Sequence, residues 1–394
     1  MVTALINGRI LSATGWRDGA AVLLDSGKIL DVVARDATPK GARLRDLGGA
    51  ALVPGFIDTQ VNGGGGVLFN DSPTVEAIVR IGEVHRRFGT TGFLPTLLSD
   101  DLTVVDRAMR AVEAAIEAGA PGVLGIHIEG PFLNVVRKGI HDGTKLRTLD
   151  EAAFNLLTSL KRGKTLVTLA PETTSLEMIA RLRAAKVVVA AGHTNANYAE
   201  VRAALDHGVT GFTHLFNAMS PLTSRAPGAV GAALESQTAW CGLILDGRHV
   251  SPVVLKLALR TRPLDRFMLV SDAMPTVGAD DKTFSLGGRL IRAEGGACVA
   301  QDGTLAGSNL DMAMAVRNAV DLLGVSLAEA VTMASTAPAA FLGLAPRRGA
   351  IVGGAAADLA LLSDSGEVLA TWIGGVEHDT LAADLADPTP AGAP

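Results

Sequence analysis

Apolar residues follow two different rhythms along this chain, and the rhythm changes twice. Up to about residue 53, runs such as Ala4-Leu5-Ile6, Ala21-Val22-Leu23-Leu24 and Ile29-Leu30-Asp31-Val32-Val33 are cut by Asn7-Gly8 and Ser26-Gly27-Lys28. Strand-length runs divided by tight-turn residues predict β-hairpins. The segment 346–385 repeats the design, with Ile351-Val352, Asp358-Leu359-Ala360-Leu361-Leu362 and Leu369-Ala370-Thr371-Trp372-Ile373 set between turn residues. The long middle alternates. Strand candidates occupy 55–61, 91–96, 123–128, 166–170, 187–191, 211–215, 241–246 and 267–271. Helical spacing of apolar residues marks 74–88, 103–118, 176–185, 198–207 and 251–260.

Eight strands alternating with helices or loops predict an α/β fold, a (β/α)8 barrel of the TIM type over residues 54–345. The two β-rich ends, 1–53 and 346–385, are expected to meet in one small β-sandwich domain. The stretch 386–394, which holds Pro388, Pro390, Gly392 and Pro394, is expected to be a disordered tail. A chain of 394 residues exceeds one ordinary core, in keeping with a large domain and a small one.

Composition narrows the partners. Apolar residues make up 48% and charged residues 19%, enough for an extensive core. A net charge of −5 argues against a general polyanion binder, so nucleic acid is not an expected partner. Cys241 and Cys298 are too few for a disulfide framework and fit a reducing compartment. Asn7-Gly8-Arg9 interrupts the start before a signal-length apolar region forms, and no apolar run approaches the ~20 residues of a membrane span. No membrane association and a cytoplasmic location are the resulting expectations.

Four of the apolar runs end in metal-ligand residue types. Gly125-Ile126-His127-Ile128 leads into Glu129, Val187-Val188-Val189-Ala190-Ala191-Gly192 into His193, Val209-Thr210-Gly211-Phe212-Thr213 into His214, and Phe267-Met268-Leu269-Val270-Ser271 into Asp272. Each alone has a plain structural reading, since a strand-end histidine is often just hydrogen-bonded and Glu-Gly-Pro is often just a turn. Together they stand at equivalent ends of strands three, five, six and eight, and in such a barrel those ends converge on the active face. Two imidazoles and a carboxylate suit Zn2+, with Fe2+, Mn2+ or Co2+ as alternatives, and a second carboxylate is left as a base. That combination points to metal-dependent hydrolysis.

These segments resemble the N-acetylglucosamine-6-phosphate deacetylase family of the amidohydrolase superfamily, over nearly the whole chain. The resemblance is carried further by Pro54-Gly55-Phe56-Ile57-Asp58, Lys138-Gly139-Ile140-His141, His214-Leu215-Phe216-Asn217-Ala218-Met219 and Asp302-Gly303-Thr304-Leu305-Ala306-Gly307-Ser308. It implies that Glu129, His193 and His214 hold one divalent ion per subunit. It also implies that Asp272 is base and then acid, and that His141 acts on the acetamido group. Asn217, Ala218, Arg225 and His249 would recognise the sugar phosphate, with Ile140, Ala306, Gly307 and Ser308 lining the sugar site. The implied reaction converts N-acetylglucosamine 6-phosphate to glucosamine 6-phosphate and acetate, in amino-sugar catabolism or cell-wall recycling. A homodimer or homotetramer is implied, in which Arg225 or His249 reaches across the interface. The alternatives are an amidohydrolase acting on a different N-acyl sugar or a cyclic amide, and a catalytically silent sugar-phosphate-binding protein.

One departure bears on the metal count. Many amidohydrolases place His-x-His at the end of strand one, whereas this chain has Gln60-Val61-Asn62. Amides are poor zinc ligands, so Gln60 and Asn62 read as a supporting or vestigial metal position and a single ion is expected. His127 shares a strand face with Glu129 and either supports the ligands or is purely structural. Asn62-Gly63-Gly64-Gly65-Gly66 is expected to form a flexible active-site loop, not a phosphate-cradling nest, since no Lys-Ser of a P-loop follows.

Overall fold

The computed structural model describes residues 1–379. The expected tail 386–394 and the end of the segment 346–385 lie outside the described residues. Each of the eight central runs forms a parallel strand: β1 Phe56–Val61, β2 Thr90–Leu98, β3 Gly125–Glu129, β4 Lys164–Leu169, β5 Val188–Ala191, β6 Val209–Phe212, β7 Trp240–Ile244 and β8 Phe267–Val270. Neighbours in the sheet are neighbours in sequence. The sheet curls until its first and last strands meet, where Val61 pairs with Ala273 and Asn62 N donates to Ala273 O at 2.9 Å. Every residue of β1, β2 and β3 is buried, so none of them shows the apolar-polar alternation of a half-exposed strand, and the polar Asp58, Thr59 and Gln60 of β1 are buried with the rest.

The five expected helices form at Val75–Arg86, Leu102–Glu117, Leu176–Ala184, Tyr198–His207 and Pro252–Leu259. Their starts are chemically marked, as where Asn197 and Glu200 make a reciprocal capping box. Other elements were not anticipated. The helix Gly228–Glu235 is built of glycine, alanine and valine up to Leu234 and is buried from Gly228 through Ala233, so it has no polar face to reveal its period. A four-stranded antiparallel sheet, Thr283–Leu286, Arg289–Glu294, Ala297–Ala300 and Leu305–Ser308, follows β8, and a helical run from Met312 to Phe341 completes the outer layer.

The two ends of the chain share one β-sandwich. Its six-stranded sheet joins Arg9–Ser12 and Ala51–Pro54 to Leu359–Leu362 and Val368–Ile373, with Leu359 opposite Pro54 and Leu361 opposite Leu52. A four-stranded sheet containing Thr3–Ile6 and Ala20–Asp25 packs onto it, burying Leu5, Val22, Leu52, Leu359 and Trp372 in a common core. The strand Ala51–Pro54 runs straight through Gly55 into β1. A Cβ at Gly55 would lie 2.1 Å from Thr91 Oγ1, so only glycine lets the chain cross from sandwich to barrel at this contact.

Trp372 is 1% exposed in the core that both ends share. Trp372→Ala is expected to destabilise the sandwich by about 3–5 kcal/mol. Urea unfolding followed by circular dichroism should show an earlier first transition; an unmoved transition would mean that this shared core does not limit stability.

Candidate active site

Glu129 is the last residue of β3, and the chain then turns at Gly130 with φ +86°. A Cβ there would stand 2.2 Å from Ser99 Oγ, so the glycine of this motif is sterically required. His193, His214 and Asp272 follow their strands with φ of 48°, 29° and 51°, in the left-handed region that non-glycine residues seldom occupy. Such backbone costs of order 1–3 kcal/mol each and persists where the surroundings hold it. Around Asp272 the hold is visible: Ser308 N donates to Asp272 O at 2.9 Å, Met274 N donates to Ser308 O at 3.0 Å, and Ser308 Oγ donates to Ser271 O at 2.6 Å. On the other side Asp58 accepts from Ser271 N at 3.3 Å and from the Ser271 hydroxyl.

The three ligand-type side chains converge. Glu129 Oε1 lies 3.2 Å from His193 Nε2 and 3.0 Å from His214 Nε2, and the two Nε2 atoms are 3.1 Å apart. His193 Nδ1 sits 2.9 Å from Arg137 O, an acceptor only, so the neutral ring carries its proton there and presents a bare Nε2 to the carboxylate. Lone pairs and a carboxylate this close, on residues no more than 5% exposed, call for a cation among them. Their spacing is that of donors sharing one ion at about 2.0–2.1 Å. No other such group of histidine, cysteine or acidic residues converges among the described residues. Burial pushes the Glu129 carboxyl up, but the His193 and His214 rings beside it outweigh that and hold the group well below the ordinary range.

The amides at the end of β1 have a definite task. Gln60 Nε2 donates to Glu129 Oε1 and to Asp272 Oδ1, each at 3.1 Å, and Asn62 Nδ2 donates to Asp272 Oδ1 at 2.7 Å. The Gln60 amide thus bridges the two carboxylates with N–H donors, and Asn62 adds a second donor to Asp272. Asp272 Oδ1 is tied by both, leaving Oδ2 for chemistry. Burial first, and then the charge of Glu129, raise Asp272 to about 7, against the opposing pull of His214, His249 and Asn62. A divalent ion on the neighbouring triad would draw it down again.

His141 faces the same cleft. Its Nδ1 accepts from Ser99 N at 3.2 Å and lies 2.8 Å from Ser99 Oγ. Burial and then neighbouring His193 push its pKa down to about 3, so the ring is neutral with its proton on Nε2, the nitrogen left for a ligand. His127 sits lower in the barrel, where its Nε2 meets Thr168 Oγ1 at 2.7 Å and Thr168 meets Thr213 Oγ1 at 2.6 Å. Burial lowers it to about 4, and it forms no hydrogen bond to Glu129, His193 or His214.

The cleft above these groups has a volume of about 330 Å³. Of the residues singled out in the sequence, Ile140, His141, Asn217, Ala218, His249 and Gly307 line it together with Glu129, His193, His214 and Asp272. His249 is held by Asp246, whose Oδ2 lies 2.6 Å from Nδ1. Ala306 and Ser308 are buried behind the wall, where Ser308 braces the Asp272 turn. Arg225 lies on the exposed stretch 221–227 and does not line the cleft of its own chain. Arg137, Leu98 and Met274 do line it and were not singled out; only the basic pair Arg137-Lys138 before the His141 motif hinted at the first. The expected flexible loop is instead a packed ribbon. Gly63–Gly64 pairs with Val67–Leu68, and His85 Nε2 meets Gly63 O at 2.9 Å. A Cβ on Gly63 would fall 2.3 Å from Val67 O, so these glycines serve close packing.

Metal analysis of the purified chain is expected to find one tightly held ion, with Glu129→Gln weakening it by at least about 10–100-fold, the range that loss of a mere supporting partner reaches. Two fully occupied ions would contradict the role given to Gln60 and Asn62.

Comparison with known proteins identifies the family. The amidohydrolase family matches residues 51–377. The N-acetylgalactosamine-6-phosphate deacetylase of Shewanella sp. (strain ANA-3) is 46% identical over 330 residues, covering 84% of this chain and 83% of that protein. A crystal structure of N-acetylglucosamine-6-phosphate deacetylase from Pasteurella multocida superposes with a TM-score of 0.93 at 32% identity, over 96% of this chain and 100% of that one. A variant of the Mycobacterium smegmatis N-acetyl-D-glucosamine-6-phosphate deacetylase, in complex with N-acetyl-D-glucosamine-6-phosphate, does so with a TM-score of 0.88 at 33% identity, over 95% and 99%. The chain belongs to the amidohydrolase family, as a relative of the N-acetylglucosamine- and N-acetylgalactosamine-6-phosphate deacetylases.

Proposed function

We propose that this chain hydrolyses the acetamide of N-acetylglucosamine 6-phosphate, releasing glucosamine 6-phosphate and acetate. The observation that carries the reading is the convergence of Glu129, His193 and His214 beside an aspartate with one oxygen tied and one free. One ion per subunit, foremost Zn2+, is held by those three residues, and when bound it supplies Lewis acidity able to bring a water towards a pKa of ~7. Asp272 Oδ2 takes the proton from the attacking water. The same carboxyl then returns it to the departing nitrogen, so that an amine leaves instead of an amide anion. His141 Nε2–H points to the acetyl oxygen and steadies the charge that develops there. Leu98, Ile140 and Met274 give this end of the cleft an apolar wall.

The exposed position of Arg225 supports a homodimer, or a homotetramer of such pairs, in which it reaches the phosphate in the partner's cleft. Two buried, unpaired cysteines and the lack of any described helix long and apolar enough to cross a membrane support a cytoplasmic enzyme. A second reading is favoured by the 46% identity to an N-acetylgalactosamine-6-phosphate deacetylase: the same site acting on the C4 epimer.

Acetate release from both phosphosugars, with and without chelator, tests the reading. Loss of release on chelation and its return with added metal are expected, and the ratio of kcat/KM values ranks the epimers; no release from either sugar would overturn the proposal. Asp272→Asn should keep the ion while lowering kcat by on the order of 10²-fold or more. A variant with full ion content and near-normal turnover would remove Asp272 from the mechanism.

A further inference from the structure

A phosphorylated substrate brings a dianion into a cleft whose own acidic groups are Glu129 and Asp272. Among the residues that line this cleft there is a single lysine or arginine, Arg137. It lies in the short turn Val135–Arg137 on the segment between β3 and the His141 motif. Its two ends face different tasks. The main-chain carbonyl takes the Nδ1 proton of the metal ligand His193 at 2.9 Å. The guanidinium is anchored at Nε, which donates to Asn195 Oδ1 at 3.0 Å. Nη1 and Nη2 form no hydrogen bond to any described residue, so the outer edge of the fork is open.

The anchor also sets where that edge lies. Asn195 follows Thr194, which pairs with Met219 and whose N donates to Ala218 O at 3.0 Å. The guanidinium is therefore tethered to the strand end that abuts Asn217 and Ala218, both of which line the cleft. A planar fork with one nitrogen fixed and two free matches the oxygens of a phosphate monoester.

We infer that Arg137 determines specificity for a phosphorylated sugar from within the same chain, its Nη1 and Nη2 donating to phosphate oxygens while its carbonyl holds His193. This rests on the proposed sugar-phosphate substrate. It differs from the assignment of Arg225, which needs a partner subunit. Because one residue serves the ligand with its side chain and His193 with its main chain, the two roles separate on substitution.

Arg137→Ala removes the fork and keeps the carbonyl, so its ion content should equal that of the unsubstituted enzyme. KM for the phosphorylated sugar should rise by about ten- to a hundredfold, a loss at least tenfold greater than for unphosphorylated N-acetylglucosamine. Arg137→Lys, which retains the charge, should recover part of the difference. An equal proportional loss on the two sugars, or an unchanged KM, would overturn the inference. Calorimetric binding of glucosamine 6-phosphate against glucosamine reads the same contrast without turnover. A Kd ratio between the two that Arg137→Ala leaves unchanged would overturn it even if neither acetylated sugar were a substrate, so the inference and the proposed function can fail separately.

Discussion

Two carboxylates buried within reach of one amide set the central electrostatic problem of this protein. Gln60 Nε2 is 3.1 Å from an oxygen of Glu129 and 3.1 Å from an oxygen of Asp272. Like charges this close in a low-dielectric interior cannot both be ionised at no cost. The surroundings separate them. The imidazoles beside Glu129 keep it anionic, while burial and then the charge of Glu129 raise Asp272 to about 7. The two carboxylic acids differ through their neighbours, which suits the roles proposed for them, metal ligand for Glu129 and proton carrier for Asp272.

That division depends on backbone which would not hold its shape alone. His193, His214 and Asp272 stand just past their strands with positive φ, where each side chain turns in over the barrel mouth. The Asp272 turn is fixed from both sides, by Ser308 on the inserted sheet and by Asp58 on β1. Asp58 therefore matters less as a chemical group than as the joint between the first and last strands. It is fully buried, and burial raises it to about 6. The small sandwich reaches the same place by another route, since its strand Ala51–Pro54 continues through Gly55 into β1. A defect in the sandwich core would thus be passed to the strand that carries Asp58, Gln60 and Asn62.

The sequence by itself determined the eight barrel strands, because each is a strand-length, β-rich run set between helix-period segments or turn residues, even where β1 carries Asp58, Thr59 and Gln60. It determined the meeting of the two ends, through matching β-rich segments, and the four strand-end ligand types, through their equivalent positions. The single-ion expectation also followed from residue chemistry, since Gln60 and Asn62 are amides. Tertiary structure decided what periodicity cannot carry. The helix Gly228–Glu235 is buried on all sides and so has no amphipathic signal. The glycines at 63 and 64 imply flexibility in sequence, yet they exist to admit Val67 and His85 at close range. Which side chains reach the cleft was likewise settled only by folding. Arg225 follows the His214 motif closely but does not line the cleft of its own chain, while Arg137 does, with Asn195, 58 positions further along the chain, brought alongside by a barrel that sets the ends of β3 and β5 on one face. Local pattern specifies which element a residue joins; the side chain's neighbours are fixed by contacts between distant segments, which no local pattern contains.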